Sequence, residues 1–363
     1  MKVQGLIFAA LAMLTGIAVA DSGNRDSPGK LVEVAQFGQR QPVGITISEQ
    51  NRLFVTFPRQ SGATDFRYAL SEVINGREYP YPDIQWNTYE PNAPDSHFMN
   101  VQAVIAQGDS LWVLDAVQPF GGNAKPHSKL LRIDLHTAKV ERIYRFEDLE
   151  PELSALNDVR IDLTHGVAYL SDPKQGALVV MDLDTGKTQV RLKGNPALLA
   201  TPGYVLHIDG HNVVDKAGKP FISNVNGIAL TRDDTYLYFR AINQEHLYRI
   251  ATRYLADPNI NDVTLARYIE NLGKVGISHG MLADAYGNIY LSDSQTHTIN
   301  RYSPDGRLTT VVKDERLSWP DTFALDPKGE LYITAAQIHK TAQFNQGIDR
   351  VDYPYRLYKL NLH

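Results

Sequence analysis

Read for apolar and polar alternation, the chain resolves into a two-strand unit that recurs. Its first member occurs six times, as VGITIS (43–48), NVQAVI (100–105), NDVRID (157–162), NGIALT (226–231), HGMLAD (279–284) and DTFALD (321–326). A second β-rich run follows each, as LFVTF (53–57), LWVLD (111–115), AYLSD (168–172), LYFRA (237–241), IYLSD (289–293) and LYITA (331–335). Period-two patterning with β-branched and aromatic residues predicts half-buried strands. Third strands are predicted over 67–73, 129–135, 177–184, 246–252, 298–304 and 355–362, and fourth strands over 78–86, 140–146, 188–194, 265–271 and 308–314. Turn sequences such as DTGK (184–187) and PDGR (304–307) separate them. A strand pair repeated every 40–70 residues predicts an all-β chain folded as a six-bladed β-propeller.

The sixth unit lacks a fourth strand of its own, and the run KLVEVAQFG (30–38) carries the missing pattern. The expectation is a ring closed by an N-terminal strand in the last blade, which removes two exposed sheet edges. The long connections 57–67, 84–100, 115–129, 194–226 and 335–355 all fall at the end where inner strands begin. That face is therefore elaborated, and long loops on a rigid scaffold commonly carry binding.

Alignment of the six phrases places Val43, Asn100, Asn157, Asn226, His279 and Asp321 at the start of the innermost strand, facing the central channel. Amides, an imidazole and a carboxylate converging there suit a polar ligand or a hard cation. Asp158 adds a second carboxylate, and Trp319 an aromatic face. The expected ligand-binding set is Asn100, Asn157, Asp158, Asn226, His279, Trp319 and Asp321, and the expected metal set is Asn157, Asn226 and Asp321, with Ca²⁺ the foremost divalent cation. Asn and Asp at strand starts also cap loop backbone, so each has a structural reading beside the functional one. A second tier on the same face comprises Asp115, Asp172, Asp293 and Arg240, with Phe98, Phe120 and Tyr353 as further aromatic candidates. His207 and His211, in HIDGHN (207–212), carry only a weak metal signal.

Composition narrows the chemistry. The 363 residues carry a net charge of −5, which offers no basic surface for nucleic acid. There is no cysteine, so disulfides, thiolate catalysis and Cys-zinc sites are excluded. A nucleophile elbow, a P-loop, a dinucleotide fingerprint and an H-E-x-x-H helix are all missing. Met1-Lys2, an apolar stretch from Leu6 to Val19, and Ala18-Val19-Ala20 before Asp21 read as a secretory signal peptide. The expected organisation is a signal peptide over 1–20, a polar leader over 21–29 and a propeller over 30–363, in a secreted or periplasmic protein without membrane association after cleavage.

The blocks RLFVTFPR (52–59), YALSEVING (68–76), VQAVIAQGDSLWVLDA (101–116), LLRIDLHTAKVERIYRF (130–146), NDVRIDLTHGVAYLSD (157–172) and GMLADAYGNIYLSDS (280–294) resemble, in order, those of the yellow/major royal jelly protein family. That resemblance implies a secreted six-bladed propeller with a small-molecule pocket at the channel mouth. Insect relatives are associated with dopachrome conversion or with biogenic amines. The family's disulfides cannot be present here. A more distant similarity, to gluconolactonase/regucalcin propellers, implies a divalent ion held by Glu, Asn and Asp, but Val43 stands where the Glu belongs and His279 where the Asp belongs.

Three functions follow as expectations. The first is a secreted small-molecule-binding propeller with a polar site at the channel mouth. The second is a metal-assisted, lactonase-like hydrolase or an isomerase acting on a small cyclic substrate. The third is a protein-interaction propeller. The sequence leaves turnover, ligand identity and oligomeric state open.

Overall fold

The structure is a computed structural model that describes residues 29–59, 67–116 and 127–362. The expected signal peptide, nearly all of the expected leader, and Phe120 lie outside the described residues.

Six four-stranded antiparallel sheets account for the repeats. Blade 1 comprises Ile45–Ile47, Leu53–Thr56, Leu70–Ile74 and Arg77–Pro80. Blade 2 comprises Val101–Gln107, Ser110–Asp115, Lys129–Asp134 and Val140–Arg145. Blade 3 comprises Val159–Asp162, Val167–Asp172, Ala177–Asp182 and Thr188–Arg191. Blade 4 comprises Val225–Leu230, Tyr236–Ala241, His246–Ala251 and Glu270–Lys274. Blade 5 comprises Met281–Ala283, Ile289–Asp293, Thr298–Tyr302 and Leu308–Lys313. Blade 6 combines Pro320–Leu325, Glu330–Ala335 and Arg356–Asn361 with Val32–Gln36, which pairs antiparallel to Arg356–Asn361.

Two outer strands differ from the sequence expectation. The fourth strand of blade 4 begins at Glu270 rather than 265, because Asn261 caps a helical turn over Asp262–Leu265 by accepting from Thr264 N at 2.9 Å. In blade 1 the fourth strand stops at Pro80. Asp83 then caps a short helix, Ile84–Asn87, through Trp86 N at 2.8 Å.

The core is distributed between neighbouring blades. Trp112, Leu114 and Tyr144 of blade 2 pack with Leu170, Val179 and Met181 of blade 3. Phe37 and Leu357 of blade 6 pack with Ile45 and Val55 of blade 1. Each fully buried side chain of this size contributes about 1.5–3 kcal/mol, so apolar blade interfaces supply the cohesion of a chain that has no cysteine.

A hydroxyl near the end of the second strand joins the inner strands. Thr56 Oγ1 accepts from Gly44 N at 2.8 Å and donates to Gln102 O, in the next blade, at 3.2 Å. Ser171 Oγ accepts from Asp158 N and donates to Asn226 O, at 3.1 and 2.5 Å. Thr334 Oγ1 accepts from Thr322 N and donates to Val43 O, at 3.1 and 2.8 Å. These bonds satisfy backbone groups where the inner strand leaves its sheet, and they hold the channel-mouth residues in register.

Candidate functional site at the channel mouth

Strand register defines the axial ring. Ile45, Val104, Val159, Ile228, Met281 and Phe323 occupy equivalent places, paired with Val55, Val113, Leu170, Phe239, Leu291 and Ile333. Two residues earlier stand Val43, Gln102, Asn157, Asn226, His279 and Asp321, and all six line one cavity. In blade 2 the ring residue is therefore Gln102, and Asn100 is not brought to the cavity. Val101 pairs with Asp115 as Val225 pairs with Ala241 and Pro320 with Ala335, so Asn100 is equivalent to Asn224 and Trp319, two residues before the ring position. There Asn100 Oδ1 accepts from Arg59 N at 2.7 Å and Nδ2 donates to Ala116 O at 3.1 Å, fixing two loops.

The cavity is small, about 20 Å³, which is room for one water molecule or one ion. Its narrowness has a backbone cause. A Cβ on Gly227 would lie 2.4 Å from His279 O, and one on Gly280 would lie 1.9 Å from Asp321 O. Only glycine permits this approach of the inner strands of blades 4, 5 and 6.

Asn157, Asp158, Asn226 and Asp321 are partly exposed to this space, whereas His279 is buried. Asn226 Nδ2 donates to Ser223 Oγ at 3.2 Å, which leaves its Oδ1 for the cavity. Among the described residues the Asn157 side chain makes no hydrogen bond, and the Asp321 carboxylate accepts none of normal geometry. Burial, and then repulsion from Asp158, push the Asp321 carboxyl up to about 7, against a smaller opposing pull from Trp319 and Thr322.

Asp158 is committed elsewhere. Its Oδ1 takes Arg160 Nη1 at 2.6 Å and its Oδ2 takes Ile228 N at 3.1 Å. Arg160 reaches on to Met281 O at 3.0 Å and so crosses the channel from blade 3 to blade 5. Sequence reading passed over Arg160. The available signal was a charged residue at an inner-strand position that is apolar in four of the other blades.

His279 belongs to the wall of the site. Its Nε2 pairs with Ser294 Oγ at 2.7 Å, its Nδ1 has no partner, and burial lowers its pKa to about 3. Trp319 lies beneath it, 1 % exposed, with ring centroids 4.1 Å apart and planes 23° apart. His339 stacks on Trp319 at 6.0 Å and Phe221 meets it edge-on at 5.1 Å. Trp319 therefore supports His279, and it does not line the cavity.

The second tier is structural. Asp115 accepts from Met99 N at 2.8 Å and pairs with Lys129 Nζ at 2.9 Å. Asp172 accepts from Ser154 Oγ at 2.7 Å and Ala155 N at 3.0 Å, and Asp293 from Gln295 N at 2.8 Å. Arg240 is fully buried and donates to Gln244 O and Gly276 O. Phe98 is buried against Trp86, and Tyr353 is an exposed ring bonded to Asp349. His207 and His211 are exposed on a two-stranded hairpin, with His207 Nδ1 on Asn212 Oδ1 at 3.0 Å.

Six radial sheets around a narrow polar mouth define a six-bladed β-propeller. Residues 100–363 match the family described as Major royal jelly protein, and the chain belongs to that family. No curated protein sequence matches it. Among solved structures it is similar to a gluconolactonase from Xanthomonas campestris, at 13 % identity and TM-score 0.57, covering 92 % of this chain and 89 % of that one. It is also similar to a calcium-binding regucalcin from Agrobacterium tumefaciens, at 15 % identity and TM-score 0.55 over 92 % and 94 %. A virginiamycin B lyase from Staphylococcus aureus aligns at 16 % identity and TM-score 0.53 over 92 % and 99 %. At these identities the likeness is one of fold. Among the described residues no helix is long and apolar enough to cross a membrane.

Proposed function

We propose that the protein is an exported small-molecule-binding propeller whose axial ring receives the cationic end of its ligand, a primary ammonium group. The observation that carries this reading is the set of uncommitted oxygen-bearing side chains, Gln102, Asn157, Asn226 and Asp321, around an ion-sized cavity. A primary ammonium has three N–H donors to offer them. Its charge also relieves the burial and the Asp158 repulsion that raise the Asp321 carboxyl to about 7. A cavity of about 20 Å³ takes the ammonium head alone, so the ligand body lies outward, under the elaborated face. The leader pattern over 1–20 supports export.

A lactonase-type metal centre fits this ring poorly. Val43 offers no oxygen where that centre needs a carboxylate, and Asp158 is already held by Arg160. The four remaining side chains, Gln102, Asn157, Asn226 and Asp321, fall short of the six to eight oxygens that Ca²⁺ prefers.

The test is calorimetric titration at pH 8 with tyramine, its uncharged analogue p-cresol, and CaCl₂. The reading expects tyramine to bind, p-cresol to bind at least tenfold more weakly, and Asp321→Asn and Asn226→Ala each to weaken tyramine tenfold or more. Equal binding of tyramine and p-cresol, or binding unchanged in both variants, refutes the axial site. Ca²⁺ binding that is lost in Asp321→Asn replaces the ammonium with a metal.

A further inference from the structure

A second polar cluster sits on the elaborated face, away from the axial ring. Four separate connections supply it, Glu315 lying in the link from blade 5 to blade 6. Asp209 lies at the tip of the hairpin formed by His207–Ile208 and His211–Asn212, in a left-handed conformation with φ 52° that the Asp-Gly turn accommodates. His297 closes the short link between the second and third strands of blade 5. His339 lies in the long link between the second and third strands of blade 6. Asp209 Oδ1 is 2.9 Å from His297 Nε2, and Asp209 Oδ2 is 2.9 Å from His339 Nε2. Glu315 brings a carboxylate oxygen 3.5 Å from His297 Nε2, and the donor atoms of Asp209, His297 and Glu315 all lie within 4.8 Å of one another.

We infer that Asp209, His297 and His339, with Glu315 completing the set, form a binding site for a first-row transition metal of the Zn²⁺ type.

The bonding of His297 carries the inference. Its Nδ1 faces Leu317 O at 3.2 Å, and a carbonyl oxygen only accepts. Nδ1 therefore bears the proton, and Nε2 turns a lone pair toward two carboxylates. Only a proton or a metal ion reconciles a lone pair with that position. An Nδ1–H held by a backbone carbonyl, with Nε2 directed at anionic oxygens, is also how a metal-ligating histidine is oriented. His339 supplies a second imidazole, its Nε2 2.9 Å from Asp209 Oδ2.

Two imidazoles and two carboxylates suit a four-coordinate zinc site, and imidazole nitrogen selects such metals over Ca²⁺ or Mg²⁺. Tetrahedral donors about 2.0–2.1 Å from zinc stand about 3.3 Å apart. The 2.9 and 3.5 Å separations from His297 Nε2 to Asp209 Oδ1 and Glu315 thus need shifts of only a few tenths of an ångström, whereas His339 faces the other Asp209 oxygen and must move further to join them. The exposed Glu315 and Asp209 leave an entry path from solvent. Lys340 Nζ, 3.9 Å from Asp209 Oδ2, is the one opposing charge at the cluster among the described residues. Bound metal would tie four loops together near Trp319, on which His339 stacks.

The test uses the full chain, stripped with chelator and dialysed, and titrated with ZnCl₂ calorimetrically and with Co²⁺ followed by visible absorption. The inference expects one Zn²⁺ per chain at micromolar affinity or tighter, and a tetrahedral Co²⁺ spectrum. His297→Gln and His339→Gln, which keep a polar side chain in place, should each weaken Zn²⁺ at least thirtyfold, and Lys340→Ala should tighten it. A His207→Ala/His211→Ala double variant should bind as the parent does. Absence of saturable Zn²⁺ binding at 100 micromolar overturns the site. So does unchanged affinity in both glutamine variants, or loss of binding in the His207/His211 variant alone.

Discussion

Asp321 and Asp209 stand on the same elaborated face and meet opposite fates. Asp321 lines the axial cavity without a hydrogen-bond donor of normal geometry, faces Asp158, and is pushed up to about 7. Asp209 lies 2.9 Å from both His339 Nε2 and His297 Nε2 and beside Lys340, and is held well below the usual carboxylate range. Burial alone does not set a carboxylate's charge; what decides it is whether the surroundings deliver compensating donors. The blade scaffold surrounds Asp321 with amide oxygens and another acid, leaving a deficit of positive charge. The loops surround Asp209 with the nitrogens of His339, His297 and Lys340, which outweigh the nearby Glu315 carboxylate.

Trp319 is common to both regions, so its removal should have the largest effect. Trp319→Ala removes the stacking platform of His279 and His339 and opens a cavity, with an expected loss of about 3–5 kcal/mol in chemical denaturation. A loss under about 1 kcal/mol would mean that the two regions are not joined through this ring. Asp321→Asn comes next. A carboxyl raised in the fold favours folding below its unfolded pKa, and that contribution is lost as pH rises through about 7. The variant should therefore be more stable than the parent at pH 8, by about 1–3 kcal/mol, with the gap closing toward pH 4.

His279 gives the reverse pH dependence. Its pKa of about 3 lies below the unfolded value, so it disfavours folding as pH falls from 6.5 toward 3. Acid unfolding followed by circular dichroism should shift to lower pH in His279→Asn, by comparison with a Trp319-intact parent of equal stability at pH 8. Asp209→Asn should show the smallest effect. Its depressed carboxyl stabilises above the unfolded pKa, and that contribution fades as pH falls through the acid range. Because the side chain is about a third exposed, the loss at pH 7 should stay below about 1 kcal/mol. A gain in stability at pH 7 would show that the two aspartates do not differ as described.

The six-fold repeat was legible because each blade repeats a two-residue alternation, and its buried inner strands are rich in aliphatic and aromatic residues. The ring residues Asn157, Asn226, His279 and Asp321 were legible for the same reason, since each opens a phrase that register then places at the axis. Asn100 misled because one asparagine looks like another. The hairpin between Gln107 and Ser110 is shorter than those of the neighbouring blades, which shifts the frame, and Gln102 takes the place. Gly227 and Gly280 were visible but silent, for the steric reason behind them lies in the neighbouring blade's carbonyl. Asp209 was passed over between His207 and His211, because its partners are 88 and 130 residues away in loops that no local pattern joins.

The claim that the axial ring awaits a positive charge is tested most directly by the pH dependence of tyramine affinity. Asp321 must be ionised to hold an ammonium, and with a pKa of about 7 it is mostly protonated at pH 6 and mostly ionised at pH 8. Titration calorimetry at the two pH values should give about a tenfold tighter Kd at pH 8, with proton release on binding at pH 6. In Asp321→Asn the affinity should be weak and flat with pH. Equal affinity at pH 6 and pH 8 in the parent protein would contradict the account.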